Sequence, residues 1–300
     1  MDTRALGQLE VSVVGLGCNN FGGRIDEAAT RAVVDAALEA GVTFFDTADI
    51  YGNQGGSELL LGRALGGRRD GIVLATKFGK PMGDGEERRG SPAYVVTAVE
   101  ASLRRLQTDR IDLLQHHEMD PGTPVEETVG AVAALVQAGK VRAYGTSNYS
   151  PEQMRETARV AEALGVPYVS EQGHYSWLAR DAERELLPAC AELGLGFIPY
   201  FPLANGLLTG KVRRGRPPAE GTRLHGREIS DAQLDEVERL AAWGDAHGVS
   251  LLEIAIGGLL AEATIPSVIA GATKPEQVRA NVAASAWRPS RADLAELRGG

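Results

Sequence analysis

Side chains that can hold or transfer a proton follow three short apolar runs of this chain. The first run ends at Asp46, with Tyr51 shortly after it; the second ends at Lys77; the third ends at His116 and His117. If these runs are neighbouring parallel strands, their C-terminal ends lie at one edge of the sheet, and the side chains meet there. The chemistry available to such a set is proton transfer to or from an oxygen atom.

Each residue type has a part in that chemistry. A tyrosine has a reference pKa of about 10 and is a poor proton donor at neutral pH. A buried lysine beside Tyr51 would favour the phenolate and lower this pKa, and a paired aspartate would keep the ammonium charged. A histidine could share the proton or polarise a carbonyl oxygen. The set could therefore protonate an alkoxide as hydride arrives at carbon, or deprotonate an alcohol in the reverse direction.

Taken one at a time, these residues have ordinary structural explanations. An aspartate after a strand is more often a loop cap, a lysine there a solvated charge, and a tyrosine an edge of the core. Successive strand residues point to opposite faces, so only one of His116 and His117 can face the other three. The conjunction at neighbouring strand ends is what predicts a catalytic site.

The rest of the chain supplies the elements that would position this site. The segments between the apolar runs have helical periodicity, with start signals at Ser91-Pro92, Ser150-Pro151 and Pro275 and with glycines at the expected ends. Near-continuous apolar runs are typical of parallel strands covered by helices. The predicted strands are Val13–Leu16, Val42–Phe45, Ile72–Thr76, Ile111–Gln115, Val141–Gly145, Tyr168–Ser170, Gly196–Tyr200 and Ser267–Ala270.

Alternation of strands and helices without a linker favours a closed barrel over an open sheet. The rival, a doubly wound dinucleotide-binding sheet, would carry G-x-G-x-x-G after its first strand, but Gly15-Leu16-Gly17 is followed by Asn20 at the third position. We therefore predict an α/β fold, a (β/α)8 TIM barrel that forms a single domain over residues 1–300. Residues 202–231 are rich in Gly, Pro and Arg and are predicted to form a lid or a cofactor belt.

Composition restricts the partners. The chain has 300 residues, 31 basic and 40 acidic, and a net charge of -9, which argues against nucleic acid as a partner. The sequence has neither a signal-peptide pattern nor an apolar run of about 18 residues, so it predicts neither export nor a membrane span. Cys18 and Cys190, the two cysteines, have neither metal-ligand nor disulfide-framework spacing. We expect a cytoplasmic protein without a metal site, and a monomer by default.

The chain resembles the aldo-keto reductase family over nearly its whole length. The segment from Gly41 to Gly52, GVTFFDTADIYG, followed by Ser57-Glu58, resembles the most specific motif of the family, and DLLQHH at 112–117 resembles its histidine strand. The second histidine, His117, is the one that aligns. The resemblance implies a catalytic tetrad of Tyr51, Asp46, Lys77 and His117, with Tyr51 as the proton donor and hydride supplied by a nicotinamide.

The resemblance also implies a set of residues that bind the cofactor. Ser147, Asn148 and Gln172 would hold the nicotinamide carboxamide, Tyr200 would stack on its ring, and Lys211 and Arg223 would meet the pyrophosphate. Further along, Thr273, Lys274, Gln277 and Arg279 would hold a 2′-phosphate, and Asn281 the adenine. The complete cofactor set implied is Cys18, Asn19, Asp46, Ser147, Asn148, Gln172, Tyr200, Phe201, Pro202, Leu203, Lys211, Arg223, Gly271, Thr273, Lys274, Gln277 and Asn281.

Three positions depart from the family pattern. Cys18-Asn19 replaces the frequent Thr-Trp, Phe201 replaces a serine, and Ala280 replaces a glutamate that many members have before the asparagine. Lys274 and Arg279 favour NADP over NAD, because a phosphate dianion prefers charged donors.

Substrate contacts are expected from Tyr51, His117, Asn19 and Trp177, with Tyr175 behind the tryptophan. Trp243 and Trp287, in stretches with helical patterns, are expected in the core. Specificity is expected from loops 19–24, 80–89, 118–121 and 204–226.

The predicted function is an NADP(H)-dependent oxidoreductase that reduces an aldehyde or ketone, or oxidises an alcohol or aldose. One alternative is a cofactor-binding redox-sensing or regulatory subunit with low turnover. Another is an unrelated barrel lyase or isomerase with Lys77 as a Schiff-base lysine, which would leave the nicotinamide motifs unexplained.

Overall fold

The computed structural model describes residues 1–83, 85–86 and 88–299. The substrate loop predicted at 80–89 includes Asp84 and Glu87, which lie outside the described residues. The strands are β1 Thr3–Leu6, β2 Leu9–Ser12, β3 Val14–Gly17, β4 Phe44–Asp46, β5 Val73–Phe78, β6 Ile111–His116, β7 Val141–Ser147, β8 Tyr168–His174, β9 Gly196–Tyr200 and β10 Val268–Gly271.

Helices follow the strands of the main sheet. They are α1 Glu27–Glu39, α2 Tyr51–Leu65, α3 Pro92–Leu106, α4 Val125–Gln137, α5 Pro151–Leu164, α6 Leu186–Leu193, α7 Asp231–His247, α8 Leu251–Leu260, α9 Pro275–Ala284 and α10 Arg291–Leu297. Short 3-10 helices occupy Gly66–Gly71, Asp181–Glu183 and Ala204–Thr209. In the described part of the chain, no helix has the length and apolar character needed to cross a membrane.

The main sheet is an all-parallel barrel. Within the described residues it contains eight strands in the order β10-β3-β4-β5-β6-β7-β8-β9, and the two end strands lie against each other. Asp46 is in register with Ala75, and Lys77 with Gln115, so that the ends of β4, β5 and β6 are brought to one rim. The predicted (β/α)8 barrel is confirmed, and each predicted strand overlaps an observed one.

Local signals account for the helix boundaries. Ser91 is the N-cap of α3 and Pro92 is its first residue. Ser150 forms a capping box with Gln153 at the start of α5, and this helix ends at Gly165 in the left-handed conformation (φ 68°). The predicted irregular stretch 202–231 holds the 3-10 helix Ala204–Thr209, and α7 begins only at Asp231.

The hairpin of β1 and β2 was not predicted from the sequence. Leu6, Leu9 and Val11 are buried and belong to the same cluster as the side chains inside the barrel. A Cβ on Gly196, at the start of β9, would lie 2.4 Å from Leu6 Cδ1, so the hairpin covers the N-terminal end of the barrel. This end is opposite to the rim that carries Asp46 and Lys77, which leaves that rim as the open one.

Candidate active site

The centre of the site is a buried ion pair between neighbouring strands. Lys77 Nζ on β5 donates to Asp46 Oδ1 on β4 at 2.5 Å and to the carbonyl oxygen of Thr47 at 2.8 Å. Lys77 is 0% exposed and Asp46 is 2% exposed. Lys77 Nζ lies 5.1 Å from the centre of the Tyr51 ring. Three of the predicted residues therefore meet, as the parallel register of β4 and β5 requires.

Tyr51 is held over this pair by an irregular first turn of α2. Gly52 has a φ of 68°, and a Cβ there would lie 2.4 Å from both the carbonyl oxygen of Phe21 and the backbone nitrogen of Ser57. Only glycine fits such a close approach of backbone. His117 lies on the other side of Tyr51, with ring centres 5.7 Å apart in an edge-on arrangement.

The two adjacent histidines do face opposite ways. His116 stacks on Phe78 at 4.7 Å, and its Nδ1 shares a hydrogen bond of 2.7 Å with the Tyr149 hydroxyl. It is therefore packed between the barrel and its helices. His117 follows β6 and lines the cleft at the open rim.

Two glutamines donate hydrogen bonds to the Asp46 oxygen that does not contact Lys77. Its Oδ2 accepts hydrogen bonds from Gln115 Nε2 at 2.9 Å and from Gln172 Nε2 at 3.0 Å, and Gln172 Nε2 also donates to Gln115 Oε1. The sequence analysis missed this role of Gln115. The available signal was its position in an apolar strand two residues before His117, which places both on the same face.

Burial and neighbouring charges together set the protonation of Tyr51 and Lys77. Burial raises the pKa of the Tyr51 phenol above its ordinary value, and Lys77 opposes this without reversing it. The expected net lowering by lysine was therefore wrong, because desolvation of the phenolate is the larger effect. Burial also lowers the pKa of Lys77, but Asp46 and then Tyr51 bring it above the ordinary value. Lys77 is thus an ammonium and Tyr51 a phenol at neutral pH.

His117 is neutral at the rim. Burial, followed by the charges of Lys77 and Lys80, lowers its pKa to about 2. Its buried Nδ1 has no hydrogen-bond partner in the described structure. An imidazole in this environment can offer a hydrogen bond to a substrate oxygen, but it does not supply a full positive charge.

The open rim leads into a cleft of about 1580 Å³. The wall of the cleft includes every residue of the implied cofactor set, from Cys18 to Asn281, together with Tyr51 and His117. Lys77 lies beneath this surface. The predicted cofactor residues, which come from distant parts of the chain, are therefore brought to one continuous groove.

One end of the groove carries neutral polar groups. Asn148 has a φ of 61°, and its Nδ2 donates to the carbonyl oxygen of His117 and to Ser147 Oγ, each at 3.0 Å. Tyr200 donates its hydroxyl to Asn148 Oδ1 at 2.8 Å, and one face of its ring stacks on His174 at 5.5 Å. These groups are held in place before any ligand arrives.

Two arginines connect the belt with the loop after β3. Arg223 Nη2 donates to Asn19 Oδ1 at 3.0 Å and to Asn20 Oδ1 at 2.8 Å, and Arg24 Nη2 donates to the carbonyl oxygen of Gly221 at 2.7 Å. Asn20, a residue that the sequence analysis did not assign to the site, is thus part of the wall.

The other end of the groove lies at the start of α9. Lys274 is the N-cap, and Gln277 Oε1 accepts hydrogen bonds from Thr273 N at 2.7 Å and from Thr273 Oγ1 at 3.2 Å. Arg279 does not line the cleft; its guanidinium pairs with Glu39 of α1 at 3.4 Å and is exposed. Of the two cations expected at a 2′-phosphate, the structure places one, Lys274, in the groove.

The expectation that Trp177 walls the substrate pocket was wrong. Trp177 is 5% exposed, lies in the core outside the cleft, and approaches Gly258 of α8 so closely that a Cβ there would be 2.7 Å from Trp177 Cζ2. The ring is buried because α8 has a glycine opposite it. Trp243 and Trp287 are only half-buried, with ring centres 6.1 Å apart, and Trp287 follows the end of α9.

Cys18 behaves as a small buried residue. It is 0% exposed, its Sγ contacts the carbonyl oxygen of Leu16 at 3.4 Å, and burial raises the pKa of its thiol. A protonated thiol is not a nucleophile. Among the described residues, no cluster of His, Cys, Asp and Glu has the geometry to hold a metal ion.

Known proteins are similar in sequence to this chain over most of its length. The model of the aldo/keto reductase family matches residues 13–299. The chain is 36% identical to "Probable aldo-keto reductase 1" of Glycine max over 96% of this chain and 85% of that protein. It is 36% identical to "Probable voltage-gated potassium channel subunit beta" of Oryza sativa subsp. japonica over 88% of this chain and 84% of that protein. It is 37% identical to "Uncharacterized oxidoreductase YrpG" of Bacillus subtilis (strain 168), over 92% and 88% of the two chains. With the tetrad geometry and the barrel, these matches place the chain in the aldo/keto reductase family, whose members are oxidoreductases acting on small carbonyl compounds.

Proposed function

We propose that this protein is an NADP(H)-dependent oxidoreductase that reduces an aldehyde or ketone, or in the reverse direction oxidises an alcohol or aldose. The observation that carries the proposal is the buried Lys77–Asp46 pair beneath Tyr51 at the floor of a deep groove. A desolvated lysine facing a tyrosine has a clear chemical use, because the ammonium stabilises the phenolate that remains after proton donation.

The groove is suited to a dinucleotide. At 1580 Å³ it is larger than most small-molecule pockets. Its wall carries basic side chains although the net charge of the whole chain is -9. Lys211, Arg223 and Lys274 are spaced along the wall for phosphates, and Ser147 and Asn148 supply neutral donors and acceptors near His117. The amide nitrogen of Gln172 is already bonded to Asp46, so its oxygen would accept a hydrogen bond from the carboxamide.

Each member of the tetrad has a defined part in the proposed reaction. The nicotinamide supplies or accepts the hydride. Tyr51, protonated at neutral pH because of burial, donates its hydroxyl proton to the substrate oxygen. Lys77 stabilises the resulting phenolate and Asp46 holds Lys77 in position. The neutral imidazole of His117 orients the substrate oxygen by a hydrogen bond.

The preference for NADP over NAD depends mainly on Lys274. A 2′-phosphate gains more from a charged donor than a ribose hydroxyl does, and Lys274 lies where the loop Gly271–Lys274 enters α9. Arg279 lends less support than its place in the sequence implied, since its exposed guanidinium pairs with Glu39 and does not line the groove. The proposed preference is therefore smaller than two cations would produce.

Titration of the purified protein with NADPH and NADH, followed by fluorescence, tests the cofactor assignment first. Tight NADPH binding and weaker NADH binding support the proposal and justify a screen of aldehydes, ketones and aldoses. Preferential NADH binding would make the protein an NAD-linked dehydrogenase, and binding of neither would overturn the proposed function.

A second candidate is a cofactor-binding regulatory or redox-sensing subunit with low turnover. It is favoured by the match to a protein named as a probable subunit of a voltage-gated potassium channel. The two candidates differ in turnover. Single-turnover oxidation of bound NADPH without multiple turnovers on any carbonyl compound would favour the regulatory subunit, whereas steady turnover would favour the enzyme.

A further inference from the structure

Phe201, one of the positions at which the chain departs from the family pattern, has an unusual setting. It follows the end of β9 directly, lines the groove, and is 38% exposed. Its φ is 53°, in the left-handed region that bulky L residues seldom adopt. The carbonyl oxygen of Phe201 accepts a hydrogen bond from Ala204 N at 2.8 Å, which closes the turn. A strained turn thus presents a large aromatic ring at the wall of the groove.

The ring of Phe201 has a cation as its neighbour. The guanidinium carbon of Arg223 lies over this ring, 5.7 Å from its centre, which is within the distance of a cation–π contact. Tyr200 and His174 meet the ring in T-shaped arrangements, with ring centres 5.3 and 6.0 Å away. Two aromatic contacts therefore hold the ring on which the guanidinium packs.

The guanidinium of Arg223 is held by neutral groups. Apart from the aromatic ring, its Nη2 has the side-chain oxygens of Asn19 and Asn20 as acceptors, at 3.0 and 2.8 Å. No salt bridge joins it to a carboxylate of the residues that the structure describes. Arg279, by contrast, pairs with Glu39. Arg223 therefore keeps its full positive charge at the wall of the groove.

The contacts of Arg223 join the segments that border the groove. Arg223 belongs to the belt, Phe201 to the turn after β9, and Asn20 to the loop after β3. Asn20 is 5% exposed, and its Nδ2 donates to the carbonyl oxygen of Ala272, beyond β10, at 3.2 Å. The guanidinium thus lies where these segments meet, and its position depends on all of them.

We propose that Phe201 is a positioning residue for the pyrophosphate of the cofactor, because its ring holds the Arg223 guanidinium at the groove without neutralising it. A carboxylate in its place would fix the arginine but cancel the charge that attracts a phosphate. A serine would offer a hydroxyl group and no aromatic face for the guanidinium. The identity of the ligand rests on the proposed function, whereas the contact between the ring and the guanidinium does not.

The first test needs no ligand. Urea unfolding of Phe201→Leu, Arg223→Gln and the double variant gives a double-mutant cycle for the two side chains. Leucine removes the aromatic face and keeps an apolar side chain. We expect the effects on the unfolding equilibrium constant to depart from additivity by roughly two- to fivefold. Arg213→Gln is the control, since Arg213 pairs with Glu238 and does not line the groove, and its effect should be additive with Phe201→Leu.

The second test measures ligand binding by calorimetry. Its ligands are NADPH and 2′-phospho-ADP-ribose, which has the pyrophosphate and the 2′-phosphate but no nicotinamide. We expect Phe201→Leu to weaken the binding of both by the same factor, roughly three- to tenfold. Phe201→Tyr, which keeps the ring, should bind both nearly as the wild type does. In the Arg223→Gln background, Phe201→Leu should have no further effect, because the ring acts through the guanidinium.

The outcomes separate this role from others that the ring could have. A loss of affinity confined to NADPH would overturn the proposal, because Phe201 would then act through Tyr200 at the nicotinamide. Unchanged affinity in Phe201→Leu would overturn it, as would an equal loss in the Arg223→Gln background or an additive unfolding cycle. Failure of the wild type to bind NADPH would count against the proposed function, while the unfolding cycle would still decide whether Phe201 holds Arg223.

Discussion

Gln172 donates a hydrogen bond from Nε2 to Asp46 Oδ2 at 3.0 Å, which joins a predicted cofactor residue to a predicted catalytic residue. The two residues come from β8 and β4, which are not neighbours in the barrel, and their side chains meet inside its open rim. The site for the carboxamide and the ion pair under Tyr51 therefore form one hydrogen-bonded network with Gln115.

This network predicts that Gln172→Leu impairs more than cofactor binding. The variant removes a hydrogen bond to a charged group, which is worth about 1.5–3 kcal/mol. We expect both the NADPH affinity and kcat to fall by roughly tenfold or more. Ser147→Ala, which leaves Asp46 untouched, should lower the affinity alone. Unchanged kcat in Gln172→Leu would show that Gln115 suffices to hold Asp46.

Tyr51→Phe should abolish carbonyl reduction and leave cofactor binding nearly intact. The phenol is the proposed proton donor, and loss of a general acid typically costs about 10²–10⁴ in rate. The ring is retained, so contacts with Lys77 and His117 are kept. Steady-state turnover and a fluorescence titration with NADPH measure the two effects separately. Retained turnover would contradict the assignment of Tyr51.

Lys77→Met should destabilise the protein as well as inactivate it. The change leaves Asp46 as a buried carboxylate without its cation, a loss of about 3–5 kcal/mol in comparable cases. Lys140→Met is the matched control, because Lys140 pairs with Glu100 at the surface and both side chains are more than a third exposed. That control should change the free energy of unfolding by no more than about 1 kcal/mol. Urea unfolding of both variants measures the contrast.

Lys274→Gln should reduce the preference for NADPH. Loss of a charged donor to the 2′-phosphate is expected to weaken NADPH binding by roughly tenfold and to leave NADH binding almost unchanged. Arg279→Gln is the control from the same helix, since its guanidinium is turned toward Glu39. It should have little effect on either cofactor. A larger effect at Arg279 than at Lys274 would reverse our assignment of the phosphate site.

Glu171 should make stability depend on pH. Burial raises the pKa of Glu171 to about 8, above its ordinary value in the unfolded chain. The folded state therefore binds an extra proton between about pH 4.5 and pH 8, and stability falls as pH rises through this window, by up to about 5 kcal/mol. Glu171→Gln should flatten the pH dependence of the free energy of unfolding. An unchanged slope would mean that Glu171 ionises as readily as an exposed carboxyl.

Much of the architecture could be predicted because it depends on local patterns. Apolar runs bounded by polar residues mark β3 to β10, and the Ser150 cap and Gly165 mark the ends of α5. A barrel built from such repeats brings the ends of its strands to one rim, so Asp46 and Lys77 had to be neighbours. The hairpin β1–β2 escaped prediction because its two strands are too short to show a period, and burial of Leu6 depends on the barrel that it covers.

The tertiary structure decided which side chains are buried and which groups each of them contacts, because no local pattern in the sequence encodes either. Trp177 is a core residue because α8 presents Gly258 to it, and Arg279 turns away from the groove because Glu39 of α1 is within reach. The sequence by itself determined that Asp46, Tyr51, Lys77 and His117 come together at the rim. Their protonation and their contacts came from packing, since desolvation and pairing depend on side chains that are distant in the chain. That is why the Tyr51 phenol has a higher pKa, and is a weaker acid, than its lysine neighbour alone would make it.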